Sequence, residues 1–279
     1  MPGRLVKYYF SRLNLIATYK DKKEYLKLGL NTEKFIENYG YLWGFCDIGE
    51  AKTKYGDFLY GFLVKYKSEK EEEIILPESH LLSEERAKNR VEAKARFILH
   101  VKSGLITYHP VGGQIEKDIF CDRFVDIFQA AYENMFVNVE IQTIEEQYKI
   151  FEAIKNFKYI SKVDIYLHPS NPSNAERWKR IDERLKKLEV TGYRENYENK
   201  QKEKSLKIIE DDDITSKITM ADDGYGEAAI TGLYGDDVKT ISTKDNPVND
   251  QAPGDEATAE EVLEILDPTI GKIFDRYIK

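Results

Sequence analysis

Hydrophobic positions in the first 110 residues follow mainly the two-residue period of β-strands. This pattern, with its aromatic enrichment, predicts strands at residues 5–16, 41–47, 58–66, 95–101 and 105–109. The last two form a predicted hairpin, because Ser103-Gly104 between them permits the positive φ of a tight turn. Residues 22–39 fit one or two short helices.

A helical period replaces this alternation further along the chain. Apolar residues at helical spacing predict helices at residues 120–131, 144–154 and 178–188. Strands are predicted at residues 135–141 and 159–167, on either side of the second of these helices. This β–α–β stretch is long enough for a right-handed crossover between parallel strands.

The last third of the chain combines short β-leaning segments with polar stretches. Residues 214–220, 228–232 and 238–242 predict a meander of three short strands, and the polar residues 193–213 predict an exposed helix that leads into a charged connector. The whole pattern predicts an α+β fold. We expect a mixed, largely antiparallel sheet with a central β-α-β unit and helices packed on it, plus a C-terminal helix.

One α+β domain is expected at residues 1–243, followed by an acidic linker at 244–259 and a docking helix at 260–279. The parts of the domain are an N-terminal hairpin region at 1–90, a core at 91–192 and the strand meander at 213–243. The linker is rich in Pro, Gly, Asp and Asn. The helix is apolar, and burial of each such side chain is worth about 1.5–3 kcal/mol. It is therefore expected to dock on the domain or on a partner, with a break or bend at Pro268.

Composition limits the class of protein. The chain has 279 residues, of which 41% are hydrophobic, and it contains no long apolar run, so no membrane span is expected. The N-terminus lacks the pattern of a signal peptide and the only cysteines are Cys46 and Cys121, which together predict a cytoplasmic protein. Residues 201–279 hold nine Lys or Arg and 19 Asp or Glu, so the acidity of the chain belongs to this segment.

Recognisable catalytic and metal-binding motifs are absent from the sequence. The four histidines lack the spacing of zinc ligands, and no nucleophile elbow, phosphate loop or dinucleotide fingerprint occurs. We therefore expect no metal site and no cofactor, and the sequence leaves any catalytic residue unknown. Asp211-Asp212-Asp213 and Asp222-Asp223 offer the oxygen ligands that Mg²⁺ prefers, but we interpret both as solvated turns.

The start of the helix predicted at residues 178–188 is the best candidate for anion contact. Ser170 and Asn171 are capping residues in a segment where free backbone N–H groups attract anions. Four basic residues each come one position before an apolar residue of this helix and together form a cationic stripe: Arg177, Arg180, Arg184 and Lys187. Such a stripe is typical of contact with nucleic-acid phosphates, and long side chains at the edge of a core give the same pattern.

Four stretches resemble a bacterial family catalogued as domain of unknown function 4747. They are ARFILHVKSGLITYH, the helix–strand–helix–strand segment that ends in IYLHPSNP, DGYGEAAITG, and KTISTKDNPV. Their order and spacing agree with the family over residues 90–250, and residues 5–66 are similar in pattern. The resemblance carries no active site. It implies a bacterial or prophage origin and a gene neighbourhood in which phage-defence and mobile-element genes are common.

Three hypotheses of function follow. The leading one is a non-enzymatic component of a bacterial antiphage or mobile-element system, which contacts a protein partner, RNA or DNA, and no membrane. The first alternative is a metal-dependent nuclease or toxin that uses Mg²⁺. The second is an acidic protein that occupies a partner's nucleic-acid groove through residues 210–264.

Overall fold

The computed structural model describes residues 4–16, 21–67, 70–76, 81–87, 90–132, 138–170, 175–201 and 204–276. The strands are β1 (Leu5–Ile16), β2 (Ile36–Asn38), β3 (Tyr41–Thr53), β4 (Gly56–Lys67), β5 (Lys70–Leu76), β6 (Leu81–Ala87), β7 (Arg90–His100), β8 (Leu105–Tyr108), β9 (Asn138–Thr143), β10 (Phe157–Leu167), β11 (Tyr193–Glu198), β12 (Gly226–Tyr234), β13 (Asp237–Ser242) and β14 (Asn249–Pro253). The helices are α1 (Lys22–Leu30), α2 (Lys117–Ala130), α3 (Lys149–Ile154), α4 (Lys179–Lys187), α5 (Asp212–Met220) and α6 (Ala259–Asp275), and a π-helical turn, Ala221–Tyr225, follows α5.

An eight-stranded antiparallel sheet forms the larger part of the fold. Its order is β14-β1-β8-β7-β4-β3-β2, and β9 also pairs with β1. β1 is long enough to bind two strands in succession, because residues 5–9 pair with β14 and residues 11–16 pair with β9. Helices α1 and α2 cover one face, where Phe97 of β7 and Phe124 of α2 meet edge to face at 5.1 Å in a buried core.

Helix α6 covers the opposite face of this sheet. Its buried side chains share one apolar cluster with Tyr8, Phe58 and Ile98 of the sheet, and they are Val262, Leu263, Leu266, Ile270 and Ile273. A capping box between Thr258 and Glu261 starts the helix. Pro268 lies inside α6 without ending it.

A second, four-stranded antiparallel sheet has the order β11-β10-β12-β13. Helices α3, α4 and α5 contribute to the buried core on one of its faces, in which Val163 and Ile165 of β10 pack with Ile181 of α4 and Ile218 of α5. The side chains that alternate with this buried set, such as Asp164, point to the other face.

The α+β class and the largely antiparallel arrangement are confirmed, but the predicted crossover between parallel strands is wrong. β9 and β10 belong to different sheets, and every strand pair within the described ranges is antiparallel. The helix between them is also shorter than predicted, because the backbone of Ile144 bonds instead to Phe10 and Val248. Residues 135–137 of the predicted strand lie outside the described residues.

Two segments of the last third adopt the opposite secondary structure to the predicted one. Residues 214–220 belong to helix α5, because the side chain of Asp211 accepts hydrogen bonds from the backbone N–H groups of Asp213 and Ile214 and so caps a helix. Residues 193–198 form strand β11. Their alternation places Tyr193 and Tyr197 against the second core, although the segment as a whole is polar.

The predicted linker and the predicted apolar face of α4 also need correction. Residues 249–253 form strand β14, since backbone pairing with β1 needs no apolar side chains. Leu188 is 58% exposed because α4 ends at Lys187 and Leu188 lies beyond its last turn. Among the described residues, no helix combines the length and the apolarity that crossing a membrane requires.

Candidate functional site

Helix α4 is held on the second sheet by its apolar side. Ile181 and Leu185 are buried in the second core. Trp178, directly before the helix, is buried as well and donates its indole N–H to Asp223 Oδ2 at 2.8 Å. This anchoring determines which side chains of α4 face the solvent.

Three of the four predicted stripe residues lie on the solvent side of α4. The side chain of Arg180 is 82% exposed, and its Nη2 lies 2.9 Å from Asp213 Oδ1. Arg184 and Lys187 are exposed and form no ion pair with any described residue. Since they are three positions apart, their Cβ atoms are about 5–6 Å from one another.

Arg177 does not belong to this exposed set. It precedes α4, and Trp178 adopts a non-helical backbone (φ −132°, ψ 13°), so the helical spacing does not extend back to it. Its half-buried guanidinium donates to the carbonyl oxygen of Arg276 at 3.4 Å and lies 3.7 Å from Asp223 Oδ2. Arg177 therefore contacts the interior of the protein.

Ser170 is buried, and its donors bind a carboxylate of the protein itself. Its backbone N–H donates to Asp182 Oδ1 at 2.7 Å and its hydroxyl donates to Asp182 Oδ2 at 2.6 Å. Lys186 Nζ donates to the same carboxylate at 2.7 Å. Asp182 thus occupies the position at which an anion was expected, and Asn171 lies outside the described residues.

A buried charged cluster lies where the two sheets and the end of α6 meet. We call it the junction cluster, and its members, each at most 8% exposed, are Arg12, Glu145, Asp222, Asp223 and Arg276. Arg12 of β1 donates to the carbonyl oxygen of Asp223 through Nε and Nη2, both at 3.3 Å. Arg276, which follows α6, donates to the carbonyl oxygen of Glu145 at 2.9 Å and lies 3.7 Å from Asp223 Oδ1.

The carboxyl groups of the junction cluster hold protons more tightly than usual. Burial, with the charges of Asp223 and Glu145, raises the pKa of Asp222 to about 9. Burial raises the pKa of Glu145 to about 7, although hydrogen bonds from Asn246 and Asp222 act in the opposite direction. Asp222 is therefore protonated at neutral pH and donates a hydrogen bond to Glu145.

Two histidines, His168 and His100, occupy buried structural positions. His168 is fully buried, with Nε2 2.7 Å from Glu140 Oε2 and Nδ1 3.1 Å from the carbonyl oxygen of Thr191, so it connects β10 to β9 of the other sheet. Burial lowers the pKa of His100 to about 4. In the part of the chain that the structure describes, no three His, Cys, Asp or Glu side chains are placed to hold a metal ion.

The interpretation of the Asp clusters as solvated turns is wrong for Asp222-Asp223, which are buried in the junction cluster. The sequence feature that could have indicated their burial is the glycine beside them. Gly224 has φ +85°, and a Cβ there would lie 2.8 Å from Cβ of Arg12, so only glycine allows this turn to approach β1 so closely. Asp211, by contrast, is a helix cap.

The comparison with protein families agrees with the resemblance found in the sequence. The family model described as Domain of unknown function (DUF4747) matches residues 6–269, which include both sheets and the larger part of α6. A comparison with curated proteins gives no match. Because the match spans nearly the whole chain, the protein belongs to the family catalogued as domain of unknown function 4747.

Proposed function

We propose that this protein is a non-enzymatic binding component of a bacterial antiphage or mobile-element system, and that it contacts nucleic-acid phosphates through α4. The observation that carries this proposal is the exposed cationic side of that helix. Arg184 and Lys187 face the solvent without an ion-pair partner among the described residues, on a helix whose other side is buried. The assignment to an antiphage or mobile-element system rests on the gene neighbourhood that the family resemblance implies.

Rigid presentation favours contact with an extended polyanion. Ile181 and Leu185 fix the rotation of α4, so the two free cations remain side by side, about 5–6 Å apart at Cβ, which is within the reach of neighbouring phosphates along one strand. Arg180 extends the same side, although its pairing with Asp213 must be exchanged for a phosphate. Exposed pairs of this kind are worth only about 0–1 kcal/mol, so the exchange costs little.

Four acidic residues of the C-terminal segment serve separate structural purposes. Asp211 caps α5, Asp213 pairs with Lys217 at 2.6 Å, and Asp222 and Asp223 lie in the junction cluster. Because these carboxylates are already engaged within the protein, they give little support to a groove-filling acidic surface or to a metal-dependent nuclease. The exposed cations of α4 give more support to phosphate contact.

The test is a salt titration of binding to a fluorescent single-stranded RNA and to a duplex DNA. In the double variant Arg184→Glu/Lys187→Glu, binding should weaken, and the slope of log affinity against log salt should fall by about 1.4 for the single strand and about 1.8 for the duplex. Both residues are exposed, so the melting temperature should stay within a few degrees of the wild-type value.

A matched control is Lys7→Glu/Lys52→Glu, which makes the same change of charge at exposed positions of the larger sheet. This control should keep the wild-type slope. Equal affinity and slope in the α4 variant, or no wild-type binding at low salt, would contradict phosphate contact at α4. Cleavage of either probe on addition of Mg²⁺ would instead support the nuclease.

A further inference from the structure

A groove crosses the open face of the four-stranded sheet, opposite to the face covered by α4. Its volume is about 440 Å³, and its lining includes Asp164, Tyr166, Arg194, Asn196, Glu227 and Ala229. The strand register explains this grouping. Tyr166 of β10 lies between Arg194 of β11 and Glu227 of β12, and the neighbouring row holds Asn196, Asp164 and Ala229. The small side chain of Ala229 leaves room between the larger ones.

The charges along this groove are unequally neutralised. Asp164 lies 2.6 Å from Lys162 Nζ, and Glu227 lies 2.5 Å from Lys244 Nζ. Arg194, by contrast, is exposed and forms no ion pair with any described residue. The acidic groups of the lining therefore have cationic partners, whereas one guanidinium remains available to an anion.

Arg194 lies over an aromatic ring of the neighbouring strand. Its guanidinium carbon lies 4.7 Å from the centre of the Tyr166 ring. The hydroxyl of Tyr166 donates to Glu140 Oε1 at 3.1 Å, and Glu140 Oε2 lies 2.7 Å from Nε2 of the buried His168. A guanidinium that stacks on a ring keeps N–H groups along its edge, where a carboxylate or phosphate can bind through two hydrogen bonds.

We propose that this groove binds a small polar ligand through an oxyanion, either a phosphate or a carboxylate, that Arg194 receives. The volume lies within the range of small-molecule sites. Asn196 Nδ2 donates one hydrogen bond to Asp164 Oδ1, so the second amide N–H and the amide oxygen of Asn196 remain for the uncharged polar groups of the same ligand. Tyr166 is a positioning residue, since it orients Arg194 through its ring. This site is independent of the proposed nucleic-acid contact, because it lies on the other face of the sheet.

The test is isothermal titration calorimetry at low ionic strength, with inorganic phosphate in one arm and acetate in the other. Wild-type protein should bind at least one of these probes, and Arg194→Gln should weaken that binding about 10- to 100-fold, the usual effect of losing hydrogen bonds to a charged group. Binding of phosphate alone assigns a phosphoryl ligand, and binding of acetate alone assigns a carboxylate.

Lys239→Gln is the matched control, because Lys239 also lies over a tyrosine ring of this sheet, 4.8 Å from the centre of Tyr234, but outside the groove. It should bind the probe as the wild type does. Tyr166→Phe keeps the ring and should weaken binding only a few-fold, whereas Tyr166→Ala should weaken it about as much as Arg194→Gln. No wild-type binding of either probe, or equal affinity in wild type and Arg194→Gln, overturns the proposal.

Discussion

Asp222 shows how burial converts an acidic side chain into a neutral hydrogen-bond donor. Its neighbours in the junction cluster supply both signs of charge, with Glu145 and Asp223 raising the pKa and Arg276 lowering it, and burial has the largest effect. The folded protein therefore binds protons at Asp222 and Glu145 that the unfolded chain releases at ordinary carboxyl pKa values. Since the folded state binds more protons, the free energy of unfolding must fall as pH rises from about 4 towards 9.

Asp222→Asn should remove part of this pH dependence, because the amide keeps a donor and carries no proton to lose. Each pH unit below the raised pKa is worth about 1.4 kcal/mol, so between pH 6 and pH 9 the wild type should lose on the order of 4 kcal/mol more unfolding free energy than the variant. Urea denaturation at both pH values measures the difference. Asp236→Asn, at a side chain that is 98% exposed, should behave as the wild type does. The same loss in wild type and Asp222→Asn would show that Asp222 does not hold the proton.

The candidate site was only partly predictable at the residue scale. Helical spacing correctly placed Arg180, Arg184 and Lys187 together on the solvent side of α4. It could not separate Arg177 from them, because the start of the helix depends on the tertiary contacts of Trp178. The junction cluster gave no local signal apart from the neighbouring Gly224, since its members come from β1, a loop, the π-helical turn and the end of α6.

At the scale of whole elements, strong periodicity predicted the fold well. The elements β10, α2 and α6 each bury one side or face, so their alternation or helical spacing is visible in the sequence. Strand β7 is buried on both faces, and its continuous apolar run is visible instead. β11 and β14 were missed because backbone pairing orders them and their side chains are mostly polar. α5 was missed because β-branched residues favour strands locally, whereas the Asp211 cap and burial of Ile218 favour the helix.

Helix α6 offers a test of how much its contact with the larger sheet contributes to the unfolding free energy of the protein. Leu266 is fully buried, and Leu266→Ala should lower the unfolding free energy by about 2–5 kcal/mol. The neighbouring Ile265 is 45% exposed, so Ile265→Ala should cost about 0.5 kcal/mol or less. Urea denaturation compares the two, and hydrogen exchange of residues 259–276 should speed up only in the first. Equal stability of both variants would mean that α6 contributes little to the fold.

The two sheets have separate apolar cores, so we expect their cooperation in unfolding to depend on the polar contacts between them. Arg12 is central to these contacts, because it is fully buried and donates both to the carbonyl oxygen of Asp223 and to that of Ser103, in the turn between β7 and β8. Its guanidinium also lies 4.8 Å from the centre of the Tyr225 ring. Removing one partner from such a buried network leaves the other charges unpaired and costs about 3–5 kcal/mol.

Arg12→Met should therefore separate the unfolding of the two sheets. The chain has two tryptophans, Trp43 in the first core and Trp178 beside the junction cluster, so Trp43→Phe leaves a fluorescent reporter of the second sheet alone. In this background, urea unfolding followed by fluorescence and by far-ultraviolet circular dichroism should coincide. With Arg12→Met added, the fluorescence transition should shift to lower urea than the transition of the larger sheet.

Arg123→Met, at a surface ion pair of α2, should leave the two curves together, since that pair crosses no boundary between the sheets. Coincident curves in Arg12→Met would mean that the apolar contacts, and not the junction cluster, make the molecule unfold as one unit.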